Sequence, residues 1–187
     1  MNFSTFDQNY VSTINLTLMK TIYSFVLIAS CLFLLTACPV GSNYPLGKMG
    51  QVKADPTLLG TWTNEIEDSE ARSVTLTKGE VANTYGVTVN ERGESFMADD
   101  DYFIGWLTIL KGKTFLVLQQ LVAGEPTETY YVYHIKHDKN TLTTSDISLK
   151  VNGTEAITSI ESYQEEVIAS MQMSDFLAGD IIWKKSK

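Results

Sequence analysis

His134 and His137 are the only two histidines of the 187-residue chain, and they stand three positions apart. A His-x-x-His pair can hold a transition metal, but at the end of a strand only if the chain bends there. The neighbouring Lys136 and Asp138 favour a solvent-facing turn instead. Asp99-Asp100-Asp101 presents oxygens of the kind Ca²⁺ takes, without the ligand spacing or glycine of a calcium loop. It reads as a charged turn ahead of an apolar strand. No Gly-x-Ser-x-Gly elbow and no phosphate-binding glycine loop occurs, and both cysteines, Cys31 and Cys38, lie near the N-terminus. The common nucleophilic and nucleotide chemistries therefore have no visible machinery, and no catalytic residue, metal or cofactor is expected. What remains is chemistry of contact. Tyr85, Tyr102, Trp106, Phe115, Tyr131 and Tyr133 fall on predicted strands. Pointing inward, they could line an apolar cavity with tyrosine hydroxyls as its few polar groups, or they could simply fill a core.

Cys38 carries a different chemistry. Residues 21–37, TIYSFVLIASCLFLLTA, form an uncharged apolar run with Lys20 before it and Cys38 after it. A basic residue, an apolar stretch and small residues before a cleavage point make a secretion signal. The same run is near the lower limit for crossing a bilayer, so a transmembrane anchor is the alternative. Leu35-Thr36-Ala37-Cys38 resembles the bacterial lipobox. That resemblance implies a diacylglyceryl group on the Cys38 sulfur, cleavage between Ala37 and Cys38, and attachment to a membrane by acyl chains such as palmitate. Two or more chains turn weak, reversible membrane binding into stable anchoring. Met19 begins a compact signal of its own, whereas residues 1–18 carry no basic residue and one acid, Asp7, so Met19 is expected to be the physiological start. Pro39 rather than Asp after the cysteine gives no reason for inner-membrane retention. The expected address is the bacterial cell envelope, and the outer membrane in a diderm.

The net charge is −8, and removing residues 1–37 takes away one acid and one base and leaves it unchanged. Such a domain repels a phosphate backbone and is not expected to bind nucleic acid. With Cys31 removed and Cys38 lipidated, no disulfide can form within the mature domain. Its core alone must hold it together.

Residues 38–55 contain glycine and proline without periodicity and read as a flexible tether; residues 56–187 are expected to form a single domain. From residue 60 onward the pattern is that of strands, at 60–67, 71–78, 81–89, a short one at 94–98, then 102–110 and 114–118 around Lys111-Gly112-Lys113, then 127–136 and 141–150. Tyr85, Val87 and Val89 share one parity; Tyr102, Ile104 and Trp106 oppose Phe103 and Leu107, and which face is inward stays open. Ser162 and Glu165 have capping-box spacing ahead of an apolar stripe of Tyr163, Val167, Ile168 and Met171, predicting a helix over 162–173. Residues 180–184 read as a last short strand. Short strands without crossover helices point to a mainly β fold, an antiparallel up-and-down barrel with one C-terminal helix; another small barrel or an open sheet with a helix on one face are alternatives.

Gly60-Thr61-Trp62, preceded by Leu58-Leu59, together with strands, a late helix and a final strand, resembles the lipocalin or calycin family. The resemblance implies an eight-stranded barrel followed by the helix and a short last strand, with Trp62 packed across one end of the barrel and a small apolar ligand inside. The chain departs from the family's pattern in having no Thr-Asp-Tyr motif, no disulfide, and only Lys184 and Lys185 where an arginine would cover the tryptophan. The leading expectation is a membrane-anchored module that binds or carries a small apolar ligand. A non-enzymatic envelope protein with a filled core, acting through a protein partner, is the alternative.

Overall fold

The computed structural model describes residues 41–64, 72–91 and 102–186. Cys38, the predicted signal, the predicted strand at 94–98 and the Asp99-Asp100-Asp101 run lie outside the described residues. Eight strands are present: β1 (Gly60–Asn64), β2 (Arg72–Lys78), β3 (Thr84–Glu91), β4 (Tyr102–Leu110), β5 (Lys113–Val122), β6 (Glu125–His137), β7 (Thr141–Ile147) and β8 (Leu177–Lys185). Among the described residues one α-helix, α1, spans Ile160–Ser170. Each strand pairs antiparallel with the next, and β8 returns to β1 through Trp62↔Lys185 and Thr63↔Lys184, so the sheet is a closed barrel. Closure leaves no unpaired strand edge.

Local chemistry sets this path. β4 and β5 meet over Lys111-Gly112, both at positive φ (47° and 77°), and β5 and β6 over Ala123-Gly124 (52° and 85°). Paired positive φ values give the two-residue turn whose twist matches the strands it joins. The last elements come in the expected order, helix and then final strand. Among the described residues seven strands precede the helix, so that final strand is the eighth stave that closes the barrel, where the resemblance implied a barrel complete before the helix. The helix also starts earlier than its sequence spacing suggests. Ser159 is the N-cap and Ser162, expected to be the cap, is the third helical residue, each side chain accepting from the other's backbone N–H (3.1 and 2.9 Å). Two serines satisfy the reciprocal bonds that a serine and an acid usually share.

Apolar residues fall into two layers. The first, inside the barrel, contains Leu58, Trp62, Leu76, Tyr85, Val87, Phe103, Leu107, Leu116, Leu118, Ile135, Leu142 and Trp183. The second lies on the outer face of β4–β6, where Trp106, Phe115, Val117 and Val132 are covered by Tyr163 and Val167 of α1, by Phe176 and by Leu46. That outer layer corrects the reading of residues 38–55 as a free tether. From residue 41 the segment is bound to the barrel: Leu46 is 0% exposed, Ser42 and Tyr130 exchange two backbone bonds of 2.9 Å, and Val52 and Ala54 pack against the inner layer. Its apolar residues are spaced to follow a curved surface, which leaves no helical or strand period to read.

Candidate binding site in the barrel interior

One end of the barrel is sealed. Residues 52–59 run across it, with Asp55 capping a short 3-10 turn at Pro56–Leu58. Leu58 plugs the opening, and Trp62 beneath it donates its indole N–H to the Leu58 carbonyl at 2.8 Å. Lys185, paired with Trp62 across the closing seam, lays its ammonium 4.8 Å from the centre of the indole ring and donates to the Thr57 carbonyl at 2.7 Å. A cation over a tryptophan face is attracted by the ring quadrupole, so a lysine occupies the cover position here. Gly60 permits this approach. Its φ is +124°, and a Cβ there would stand 3.0 Å from Lys185 Cε.

Tyr85 belongs to this sealed end. Its hydroxyl donates to the Asp55 carbonyl at 3.1 Å and accepts the Asp55 N–H at 2.6 Å, which ties the crossing segment to β3. Burial pushes the phenol up to about 12, so it stays protonated and can keep donating. The Asp55 carboxyl is held below its usual range, first by the Thr57 hydroxyl and then by the Thr57 N–H and the charges of His137 and Lys185, against a smaller effect of burial. His137 Nε2 lies 3.4 Å from Asp55 Oδ2.

The opposite half is built differently. Val74, Val89, Tyr131, Tyr133 and Ile181 pack against the same inner layer yet are only half-buried. Towards the sealed end the inner side chains of Leu58, Trp62, Leu76, Tyr85, Leu107, Leu116, Ile135, Leu142 and Trp183 are all at most 6% exposed. Phe103 and Leu118 are buried between the two regions, with Phe103 meeting the edge of Tyr131 at 6.1 Å. An inward side chain of a closed barrel that keeps contact with solvent must face space that opens outward. Among the described residues the barrel is packed shut at one end, and its inward side chains keep partial exposure toward the other.

The six aromatic residues predicted as cavity lining divide three and three. Tyr131 and Tyr133 reach the open half and Tyr85 the sealed end. Trp106 and Phe115 stand on the outer face in the layer under α1, where Trp106 meets Tyr130 (6.1 Å) and Phe115 meets Phe176 (6.5 Å). Tyr102, of the same parity as Trp106, is 54% exposed. The physical reason is alternation: on β4 the inward row is Phe103, Gly105 and Leu107, which sends Tyr102 and Trp106 outward. On β5 the inward row is Leu116 and Leu118, which sends Phe115 outward.

Sequence reasoning passed over Thr144 and Asp146, which continue the inward row of β7 from Leu142. Thr144 Oγ1 accepts the Trp183 indole N–H at 2.9 Å. The available signal was parity with Leu142, hidden by the polar run Thr143-Thr144-Ser145-Asp146. His134 and His137, three apart on β6, end on opposite sides of the sheet. His134 is buried on the outer side against Phe115 (5.7 Å), while His137 reaches Asp55 at the sealed end. They do not converge on a metal. Among the described residues no group of three metal-ligating side chains occurs, and no helix is long and apolar enough to cross a membrane.

Chemically, Tyr131, Tyr133, Thr144 and Asp146 place polar groups among the apolar inward side chains of this half. The fold is compatible with binding a small molecule and with the lipocalin-like architecture that Gly60 and Trp62 suggested. Comparison with known proteins returns no match among family models, curated proteins or solved structures.

Proposed function

We propose that the chain is a non-enzymatic binding module, anchored to a bacterial envelope membrane through lipid on Cys38, that takes a small apolar ligand into the open half of its barrel. One observation carries the binding role: Val74, Val89, Tyr131, Tyr133 and Ile181 point inward yet keep solvent exposure, above a base that is packed shut. A ligand entering there would bury these side chains and gain roughly 25 cal/mol per Å² of apolar surface removed from water, without any covalent step. The anchor rests on the apolar run ending in Leu35-Thr36-Ala37-Cys38. The bonds of Ser42 to Tyr130 tie the chain to the barrel four residues after that cysteine.

Titration of the purified chain with a nonionic naphthalene probe tests the binding role. Saturable enhancement of its fluorescence is expected, abolished by Ile181→Trp or Val89→Trp, which fill the open half. No saturable binding to the folded wild type would overturn the cavity and favour an envelope protein that acts through its outer surface. The anchor is tested separately in a bacterial host by labelled palmitate, which should enter the wild-type chain and not Cys38→Ser.

A further inference from the structure

The inward row of β7 ends in a carboxylate with nothing to bind. Leu142 lies in the inner layer, Thr144 holds Trp183, and Asp146 follows on the same side, opposite Tyr133 of β6 and Ala178 of β8. Among the described residues Asp146 makes no hydrogen bond and no ion pair. Partial burial pushes its carboxyl up, and no cation counters that effect. Arg72, on the inward row of β2, belongs to the far wall, three strands around the barrel.

The neighbouring strand is shaped around the same carboxylate. Between Thr144 and Asp146 the pairing with β8 slips, from Thr144↔Ile181 to Asp146↔Ala178, so β8 bulges at Gly179 and Asp180. A Cβ at Gly179 would lie 3.1 Å from Asp146 Oδ2. The bare glycine leaves that oxygen uncovered on the β8 side. Partial desolvation disfavours the charged form of a carboxylate that no donor or cation faces.

We propose, resting on the reading of the open half as a ligand cavity, that Asp146 anchors a ligand combining an apolar body with an amine or other cationic head group. The ammonium would supply the missing partner, while the rings of Tyr131 and Tyr133 and the side chain of Ile181 would cover the apolar body. A charge-assisted bond to a partly desolvated carboxylate is stronger than one between neutral groups. An anionic amphiphile would meet repulsion at the same place.

Decylammonium, decanol and decanoate, equal in chain length and different in head group, distinguish these possibilities when each displaces the nonionic naphthalene probe from the full chain. Decylammonium is expected to bind roughly tenfold tighter than decanol or better, the scale of one hydrogen bond to a charged group, with decanoate weakest. Asp146→Asn should bring decylammonium down to the level of decanol and leave decanol unchanged, whereas Asp146→Glu should keep the preference. In the wild-type chain the carboxyl ¹³C resonance of Asp146 should move with decylammonium and stay with decanol, a readout that needs no variant. Equal affinity for the amine and the alcohol, a preference that survives Asp146→Asn, or an unmoved resonance would overturn the role of Asp146 and leave the cavity standing. Failure of the probe and all three amphiphiles to bind would overturn the cavity and this inference with it.

Discussion

Glu166 is the most fully engaged side chain of the described residues. It is 2% exposed and accepts from the backbone N–H groups of Val151, Asn152 and Gly153, from the Asn152 side-chain amide and from the Ser170 hydroxyl. Burial pushes its carboxyl up, but these donors together hold it below its ordinary 4.5. A depressed folded value means that its contribution is complete above the unfolded value and is lost as pH falls through the folded one. Glu166→Gln keeps the shape but gives up one acceptor oxygen and the charge, and urea unfolding at neutral pH should report a loss of about 2 kcal/mol. His134 carries a second pH dependence. Burial, then the charges of Lys113 and Lys136, lower its value from 6.5 against a weaker pull from Asp180. The neutral ring is the one that fits, so its contribution is complete above 6.5 and is lost as pH falls below that. The urea midpoint should drop between about pH 7 and pH 5, and His134→Phe should flatten that part of the curve; an unchanged slope would remove His134 as its source.

At the scale of elements, α1 is a lid on the outside of the barrel. Its stripe was legible as Tyr163, Val167, Ile168 and Met171, and Tyr163 and Val167 are indeed 0% exposed. Its start was misplaced because Ser159 and Ser162 both have capping chemistry, and only the position of the buried face selects between them. Glu166 lies on the same helix yet belongs to the loop it caps, a role that spacing alone does not reveal. The contact between α1 and the barrel contains two polar atoms without partners, the Tyr163 hydroxyl and the Trp106 indole N–H. A buried donor left unbonded costs free energy that its apolar counterpart does not. Tyr163→Phe should therefore leave the thermal midpoint unchanged or raise stability by up to about 1 kcal/mol. A loss of more than that would show that the hydroxyl has a partner, such as a buried water.

The barrel is asymmetric along its axis. The sealed end combines Leu58, Trp62, the Lys185 ammonium and the Tyr85–Asp55 bonds, while the open half has no such plug among the described residues. Local opening should follow that difference, since amides exchange most slowly where packing is densest. Hydrogen exchange should find the amides of Ile135 and Leu142 better protected than those of Tyr131 and Ile181, and a tightly bound ligand should slow the second pair selectively. Uniform protection along the barrel would argue for an interior filled from end to end. A closed meander can serve many activities, so the proposed function rests on the contents of the interior and not on the barrel itself.

The strand pattern, the glycine turns, the landmark Gly60-Thr61-Trp62 and the missing catalytic signatures were all determined by local sequence. Each depends on residues close together in the chain: alternation, paired positive φ, a glycine beside a tryptophan. The direction of the strand faces was decided only by tertiary structure. A period of two tells which residues share a face, and burial identifies the inner face only when the outer one meets water. On β4 and β5 it does not, because α1 and the segment around Leu46 cover the outside, leaving residues 105–108 and 115–118 buried on both faces. Trp106 and Phe115 could therefore be read as lining when they are outer core. Asp146 could be read as surface when it faces the interior. Closure of the barrel by β8 is of the same kind, since it joins residues more than a hundred positions apart, Trp62 to Lys185, and no local pattern records that contact.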